Sequence, residues 1–121
     1  MKVIVVGAGG TTRELLRRLG ELWEIVVVDV DDERLCAAAA VRSIEMVNGD
    51  GSSRVTLERT GIAEADAIVA ATNDDDVNLE VCRLAKRVGL LRIVALAAQP
   101  RVAGGGNHAG GSVCSDLANR V

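Results

Sequence analysis

Residues 3–16, VIVVGAGGTTRELL, decide the fold of this chain. Residues 3–6 are a β-branched run closed by glycine, which predicts a short buried strand. Apolar residues then recur at helical spacing and predict a helix that ends at Gly20; they are Leu15, Leu16 and Leu19. Thr11 and Glu14 have the spacing of a capping box, which places the start of the helix at this threonine. The stretch therefore predicts a strand, a glycine turn and a helix.

The same alternation of strand and helix continues to about residue 97. Further strands are predicted at residues 25–28, 44–47, 67–71 and 92–97. Further helices are predicted at residues 31–41 and 53–60, and over the periodic residues 77–88 that Gly89 ends. Strands that alternate with helices on short loops form parallel sheets with right-handed crossovers. The sequence therefore predicts an α/β fold, a single Rossmann-type domain over residues 1–100 with a doubly wound parallel sheet of five to six strands.

The composition fits one domain with a core of small apolar side chains. Of 121 residues, 49% are hydrophobic and 1% aromatic, so Val, Ile, Leu and Ala must build the interior. The net charge of −3 gives no basic footprint and Trp23 is the only aromatic residue, so no nucleic acid is expected as a partner. The apolar runs are too short to cross a bilayer, and no signal peptide is expected from the strand-like residues that follow Met1 and Lys2. A soluble protein without direct membrane insertion is expected.

Neither the cysteines nor the single histidine indicates a catalytic or metal centre. The cysteines lie far apart, match no metal-ligand spacing and are expected to be buried apolar residues; they are Cys36, Cys82 and Cys114. His108 lies among the five glycines of residues 104–111, where a general base has no held geometry. No metal ligand and no catalytic residue are therefore expected, and residues 101–121 are expected to form a glycine-rich, mobile segment.

The glycine turn has the composition of a phosphate site. Gly7 allows a tight turn, and Gly9 lets the backbone approach a pyrophosphate without a side chain in the way. Free amides at the helix start, from Gly10 onward, together with the helix dipole attract an anion. Thr11 and Thr12 offer hydroxyl donors, although Thr12 also stands where the usual pattern has a third glycine, which predicts a displaced helix. The phosphates are expected at Gly7, Ala8 and Gly9 of this turn.

An acidic residue at the end of the second strand extends the site to a dinucleotide. Asp29 lies 20 residues beyond Gly9, where a carboxylate accepts hydrogen bonds from a ribose diol. A 2′-phosphate would be repelled there, so NAD(H) is favoured over NADP(H). Arg34 is the one residue nearby that would attract such a phosphate, and the alternative is that it is a solvated helix residue.

Two further pairs of residues follow predicted strands. Asp50-Gly51 comes after the third strand and Thr72-Asn73 after the fourth, at the edge where open α/β sheets bind ligands. The alternative is that Asp50 only closes a turn and that Asn73 or Asp74 only caps a helix. The sequence leaves both interpretations open.

With these residues the chain resembles the N-terminal nucleotide-binding domain of potassium-transport regulators, the TrkA-N or RCK (KTN) family. The resemblance covers about residues 1–100. The glycine motif is the least specific part of the resemblance, because dehydrogenases also have this motif. The more specific segments are V-D-x-D-x-x-x-x-C at 28–36, N-G-D-G at 48–51, G-I-x-x-A-D-A at 61–67 and A-T-N-D-D-D-V-N at 71–78.

The resemblance implies a cytoplasmic regulatory subunit rather than an enzyme. Such domains bind NAD(H), or in some members ATP or ADP, assemble as homodimers or higher rings, and couple ligand state to a membrane potassium channel or transporter at the inner face of the cell membrane. Carried over by residue, Gly7 to Thr11 would hold phosphates and Asp29 the adenosine ribose. Asp50 and Gly51 would line the adenine side, and Thr72 with Asn73 would face the distal half of the ligand.

The chain departs from this family in two places. Residues 94–97, V-A-L-A, lack the arginine that many members carry in strand five, and a glycine-rich segment replaces the helix that usually follows. The customary dimer contacts are therefore expected to differ, and the chain is expected to be either a fragment of a longer regulator or a short subunit with a partner. Two alternatives remain, the cofactor domain of an NAD-dependent oxidoreductase, and an assembly module that no longer binds ligand.

Overall fold

The computed structural model describes residues 1–96 of the chain. The strands are β1 (Lys2–Val6), β2 (Glu24–Asp29), β3 (Glu45–Asn48), β4 (Ala67–Ala70) and β5 (Arg92–Ala95). The helices are α1 (Gly10–Arg18), α2 (Asp32–Val41), α3 (Arg54–Arg59) and α4 (Asp75–Arg87), with a 3₁₀ turn at Ile62–Glu64 before β4. Each predicted strand and helix is present. The predictions for residues 101–121, including the one for His108, lie outside the described residues.

The five strands form one parallel sheet in the order β3-β2-β1-β4-β5. Alternate residues of β1 point to opposite faces, and both faces are buried. Val3 and Val5 pack with side chains of α1 and α2, whereas Ile4 and Val6 pack with side chains of α3 and α4. The doubly wound Rossmann-type fold is therefore confirmed. No helix within residues 1–96 is both long and apolar enough to span a membrane.

Two local predictions are wrong. The capping box is not formed, because α1 begins at Gly10 with Gly9 as its N-cap and without a side-chain cap. Glu14 forms ion pairs along the helix instead, with Arg17 and Arg18. Cys82 is buried as expected, but Cys36 is exposed, because it lies on the solvent side of α2 next to the buried Leu35.

Arg42 closes the far end of α1. Its guanidinium donates hydrogen bonds to the carbonyls of Leu16, Leu19 and Gly20, the last two at 2.5 Å. The last carbonyls of a helix have no intrahelical partner, and one fork of donors here satisfies several carbonyls at and just after the end of α1. Arg42 comes from the end of α2 and therefore fixes the two helices on this face relative to each other.

Arg42→Ala is expected to lower the free energy of unfolding by roughly 2 kcal/mol, because several half-buried carbonyls lose a charged donor. Urea unfolding followed by the fluorescence of Trp23 measures this. Arg54→Ala is the matched control, since the ion pair of Arg54 with Glu58 is exposed and its loss is expected to cost about 0.5 kcal/mol or less. Equal losses for the two variants would contradict the capping role.

Candidate functional site

A cleft opens at the carboxyl ends of the strands, above the point where the chain crosses from β3 over to β4 on the other side of β1. Ligands of open α/β sheets bind at such a topological switch point. The cavity is about 170 Å³ in volume, and eight of the predicted site residues line it: Gly7, Ala8, Gly9, Asp29, Asp50, Gly51, Thr72 and Asn73. Gly10, Thr11 and Thr12 are in the first turn of α1 and are not part of its lining. The structure therefore brings together residues that are up to 66 positions apart, from Gly7 to Asn73.

Gly7 and Gly9 serve this turn in different ways. Gly7 has φ +107°, and a Cβ there would lie 2.6 Å from the carbonyl oxygen of Ala71, so only glycine fits. Gly9 has extended backbone, and a Cβ there would meet nothing within 4 Å. The fold therefore does not need a glycine at position 9. The missing side chain instead leaves the backbone open to whatever occupies the cleft.

The N-terminus of α1 differs from those of the other α-helices. Side chains of Asp31, Ser53 and Asp74 accept hydrogen bonds from first-turn amides of α2, α3 and α4. No side chain caps α1, and its N-cap, Gly9, lines the cleft. The first amides of a helix have no intrahelical partner and carry the positive end of its dipole. The arrangement suits an anion at this end of the cleft.

Thr12 stabilises the glycine turn from the buried side of α1. It is fully buried, and its hydroxyl donates to the carbonyl oxygen of Gly7. A hydroxyl has one proton to donate, so the predicted role of Thr12 as a hydroxyl donor to phosphate is wrong. Thr11 is exposed beside the cleft. The threonine in the third position of the glycine pattern thus fastens α1 to the turn.

Asp29 joins the glycine turn to the end of β2. It is 8% exposed, its Oδ2 accepts the amide of Ala8 at 2.8 Å, and its Oδ1 accepts the amide of Asp31 at 2.8 Å. Each carboxylate oxygen can accept a second hydrogen bond. Asp29 can therefore hold the turn and still accept a ribose hydroxyl. The sequence predicted the second role and missed the first.

Arg34 lines the cleft on the same side as Asp29. Its Nε is 3.7 Å from Oδ2 of Asp31, and both side chains are about half exposed. An exposed ion pair of this length contributes little to stability and leaves the guanidinium mobile. Arg34 is thus both a solvated helix residue and the one cation among the residues that line this cavity.

Asp50 and Gly51 form the floor of the cleft beside β3. The hydroxyl and then the amide of Ser52 donate to Oδ1 of Asp50 and hold the pKa of that carboxyl below its usual value of 3.8. Asp50 therefore closes a turn and also faces the cleft, so its turn-closing role is confirmed and its contact with a ligand stays a prediction. A Cβ on Gly51 would lie 2.2 Å from Cγ1 of Val6, so only glycine fits over this core residue.

A short loop leads from the end of β4 to α4, whose N-terminus is capped by a side chain. Asp74 is the N-cap of α4 and accepts the amides of Asp76 and Val77. Asn73 is exposed and lines the cleft, so it is not the cap. Thr72 also lines the cleft and is fixed by Asn78 through several hydrogen bonds.

Several residues of this region were not among the predicted site residues, and Val30, Val77 and Asn78 are three of them. Val30 and Val77 give the cleft apolar walls, and Asn78 supports Thr72 from the core. The signal for Asn78 was available, because it shares the buried helix face of Val81 and Cys82. A polar residue at an apolar-face position implies specific buried partners. Within residues 1–96 no cluster of three acidic, histidine or cysteine side chains could hold a metal ion.

A family model described as the TrkA-N domain matches residues 3–110. Trk system potassium uptake protein TrkA of Azorhizobium caulinodans is 37% identical over 108 residues, which is 85% of this chain and 24% of that protein. The chain therefore spans about a quarter of the length of this relative.

Two solved structures share the fold. The GsuK channel has a TM-score of 0.68 at 22% identity, over 82% of this chain and 18% of that one. At this identity the likeness shows the fold alone. The Kef CTD of Shewanella denitrificans in its AMP bound form has a TM-score of 0.60 at 25% identity, over 78% of this chain and 58% of that one.

Proposed function

Because this chain belongs to the TrkA-N domain family, we propose that it binds NAD(H) in the cleft and regulates a membrane potassium channel or transporter. By its name, Trk system potassium uptake protein TrkA of Azorhizobium caulinodans takes part in potassium uptake, which supports this role. The observation that carries the proposal is that no side chain caps the start of α1. Nothing lies within 4 Å of the position of a Cβ at its N-cap, Gly9, and the carboxylate of Asp29 accepts the amide of the neighbouring Ala8.

The layout of the cleft fits a ligand with a central pyrophosphate. The turn at Gly7, Ala8 and Gly9 lies in the middle, above β1. Asp29 and Asp50 lie on one side of it, over β2 and β3, and Thr72 lies on the other side, over β4. The adenosine half would take the first side and the nicotinamide half the second. ATP or ADP would fill only the turn and the first side.

The acidic residues favour a ligand without a 2′-phosphate. Asp29 and Asp50 both face the adenosine side, and only Arg34 opposes their charge. The Kef CTD has been solved with AMP, which needs only this side and the turn. NAD(H) is the proposed physiological ligand because the cleft continues beyond the turn to Thr72 and Asn73; ATP or ADP is the alternative.

Regulation needs a difference between two states. A ligand shifts an equilibrium only by its unequal affinity for the two forms. The cavity of about 170 Å³ is smaller than the pockets of roughly 300–1,000 Å³ that enclose whole ligands, so part of a dinucleotide would remain accessible. A second copy of the chain, in a homodimer or ring at the cytoplasmic face of the membrane, would contact that part and read the ligand state.

Thermal unfolding with NADH, NAD, ADP, ATP and AMP tests the binding. A ligand at 100 times its Kd is expected to stabilise the protein by about 2.7 kcal/mol. Gly9→Ala is expected to fold normally, since its Cβ meets nothing within 4 Å, and to lose most of this stabilisation because the methyl group obstructs the phosphates. Gly20→Ala is the matched control, with equally open space but far from the cleft, and is expected to retain the stabilisation.

The outcomes separate the alternatives. If none of these ligands stabilises the protein, the remaining alternative is an assembly module that does not bind ligand. Stabilisation that survives Gly9→Ala unchanged would place the ligand elsewhere on the chain. Oxidation of NADH with small carbonyl substrates would favour the oxidoreductase instead.

A further inference from the structure

Asn78 is a buried polar side chain beneath the cleft. It is 3% exposed and lies on the apolar face of α4, which also carries Val81 and Cys82. Burial of an amide costs several kcal/mol unless its polar atoms find partners, on the order of 2–7 kcal/mol by transfer measurements. The partners of Asn78 therefore indicate what it does.

The side-chain amide of Asn78 bridges two segments of backbone. Its Oδ1 accepts the amide of Thr72 at 3.0 Å and lies 2.7 Å from Oγ1 of Thr72. Its Nδ2 donates to the carbonyl oxygens of Thr72 at 3.2 Å and of Leu96 at 2.9 Å. Two donors and two acceptor positions are all used. The reverse orientation of the amide would set an oxygen against two carbonyls, so the network fixes the side chain in one position.

The two segments belong to different parts of the molecule. Thr72 faces the cleft just after β4, on the side of the turn away from Asp29. Leu96 follows β5, and its amide donates to the carbonyl of Ala70 at 2.9 Å. Asn78 thus holds a backbone segment of the cleft wall against the end of the neighbouring strand.

We propose that Asn78 is a positioning residue that holds Thr72 against the half of a dinucleotide beyond the phosphates and ties this contact to the end of β5. The inference rests on the proposed function, because Thr72 is a ligand contact only if the cleft binds a dinucleotide. AMP lacks the distal half, so Asn78 positions nothing for AMP. The ratio of NADH affinity to AMP affinity therefore reports this role separately from folding.

Asn78→Asp tests the proposal, because it retains the shape and replaces the Nδ2 donor by an acceptor that faces two carbonyls. The Kd of NADH is expected to rise about tenfold and that of AMP less than about twofold, as for the loss of one or two hydrogen bonds. Asn48→Asp is the matched control on the adenosine side, where Nδ2 of Asn48 donates to the carbonyl of Val30 at 3.2 Å. It is expected to change both Kd values by the same factor. The Kd values of NADH and AMP are measured by titration calorimetry under conditions in which circular dichroism shows that each variant is folded.

Equal losses of NADH and AMP affinity in Asn78→Asp would overturn the proposal, because a structural defect alone scales both affinities alike. Absence of NADH and AMP binding to the wild-type chain would remove the proposed function, and this inference with it. If Asn78→Asp does not fold, Asn78→Ser and Thr72→Val are compared instead, singly and together. The proposal expects the double variant to lose no more NADH affinity than the worse single variant, and additive losses would contradict it.

Discussion

Gly7→Ala is expected to be the most destabilising single methyl addition in the cleft, with a loss of about 2–6 kcal/mol in the free energy of unfolding. An alanine at φ +107° costs about 1–3 kcal/mol in backbone strain. Its Cβ would also lie 2.6 Å from the carbonyl oxygen of Ala71, which is backbone of the neighbouring strand end and must shift at a further cost of about 1–3 kcal/mol. A domain of this size is stable by only about 5–15 kcal/mol, so the variant is expected to lose a large share of its stability.

Urea unfolding by circular dichroism and Trp23 fluorescence measures this loss. Gly20→Ala again serves as the control, since nothing lies within 4 Å of its Cβ and its stability is expected to stay within about 0.5 kcal/mol of wild type. A stable Gly7→Ala variant would show that the turn can adopt another path. Ala8 would then have another position in the cleft, and the turn would no longer pack closely against Ala71.

Asp29→Asn is expected to have the largest effect on ligand binding. The substitution retains the shape but leaves one oxygen for one buried and one part-buried amide, so Ala8 or Asp31 loses its acceptor and stability is expected to fall by roughly 2 kcal/mol. In the proposed binding mode NADH would also lose a charged partner for its ribose, which is expected to raise its Kd roughly 30-fold. In the proposed binding mode inorganic pyrophosphate would bind only at the turn, so its Kd is expected to rise less than about fivefold.

Titration calorimetry with NADH and pyrophosphate separates the two roles of Asp29. Asp66→Asn is the matched control, because Asp66 also accepts a backbone amide, that of Lys2 at 2.8 Å, but at the opposite edge of the sheet. It is expected to leave the affinity for both ligands unchanged. Equal losses for NADH and pyrophosphate in Asp29→Asn would mean that this carboxylate supports the turn and does not contact a ribose.

The sequence predicted the architecture because hydrophobic periodicity and glycine positions are local signals. Alternating strands and helices permit few topologies, and the segments after β1, β2, β3 and β4 then meet at one edge of the sheet. The pairing of Asp29 with Ala8 could not be predicted in this way. It joins a turn and a strand end 21 residues apart, and only the register of β1 against β2 brings them within 2.8 Å.

The errors have the same origin. Thr11 and Glu14 fit a capping box by spacing alone. The helix instead starts at Gly10, one residue before Thr11, and the hydroxyl of Thr12 bonds the first turn of α1 to Gly7. Spacing cannot reveal which of two adjacent threonines points into the core. The roles of Asp50 were left open for a similar reason, since a turn-closing carboxylate and a cleft-lining carboxylate have the same sequence signature.

The contact between Gly51 and Val6 links the evolution of the cleft to that of the core. The floor of the cleft has no layer between the ligand side and the hydrophobic interior, because the Cα of Gly51 rests on the methyl groups of Val6. A homologue that gains a side chain at position 51 must lose volume at position 6, so these two positions are expected to vary together. A new side chain that enters the cleft from position 51 thus requires a paired substitution at position 6, which restricts how this part of the floor can diverge.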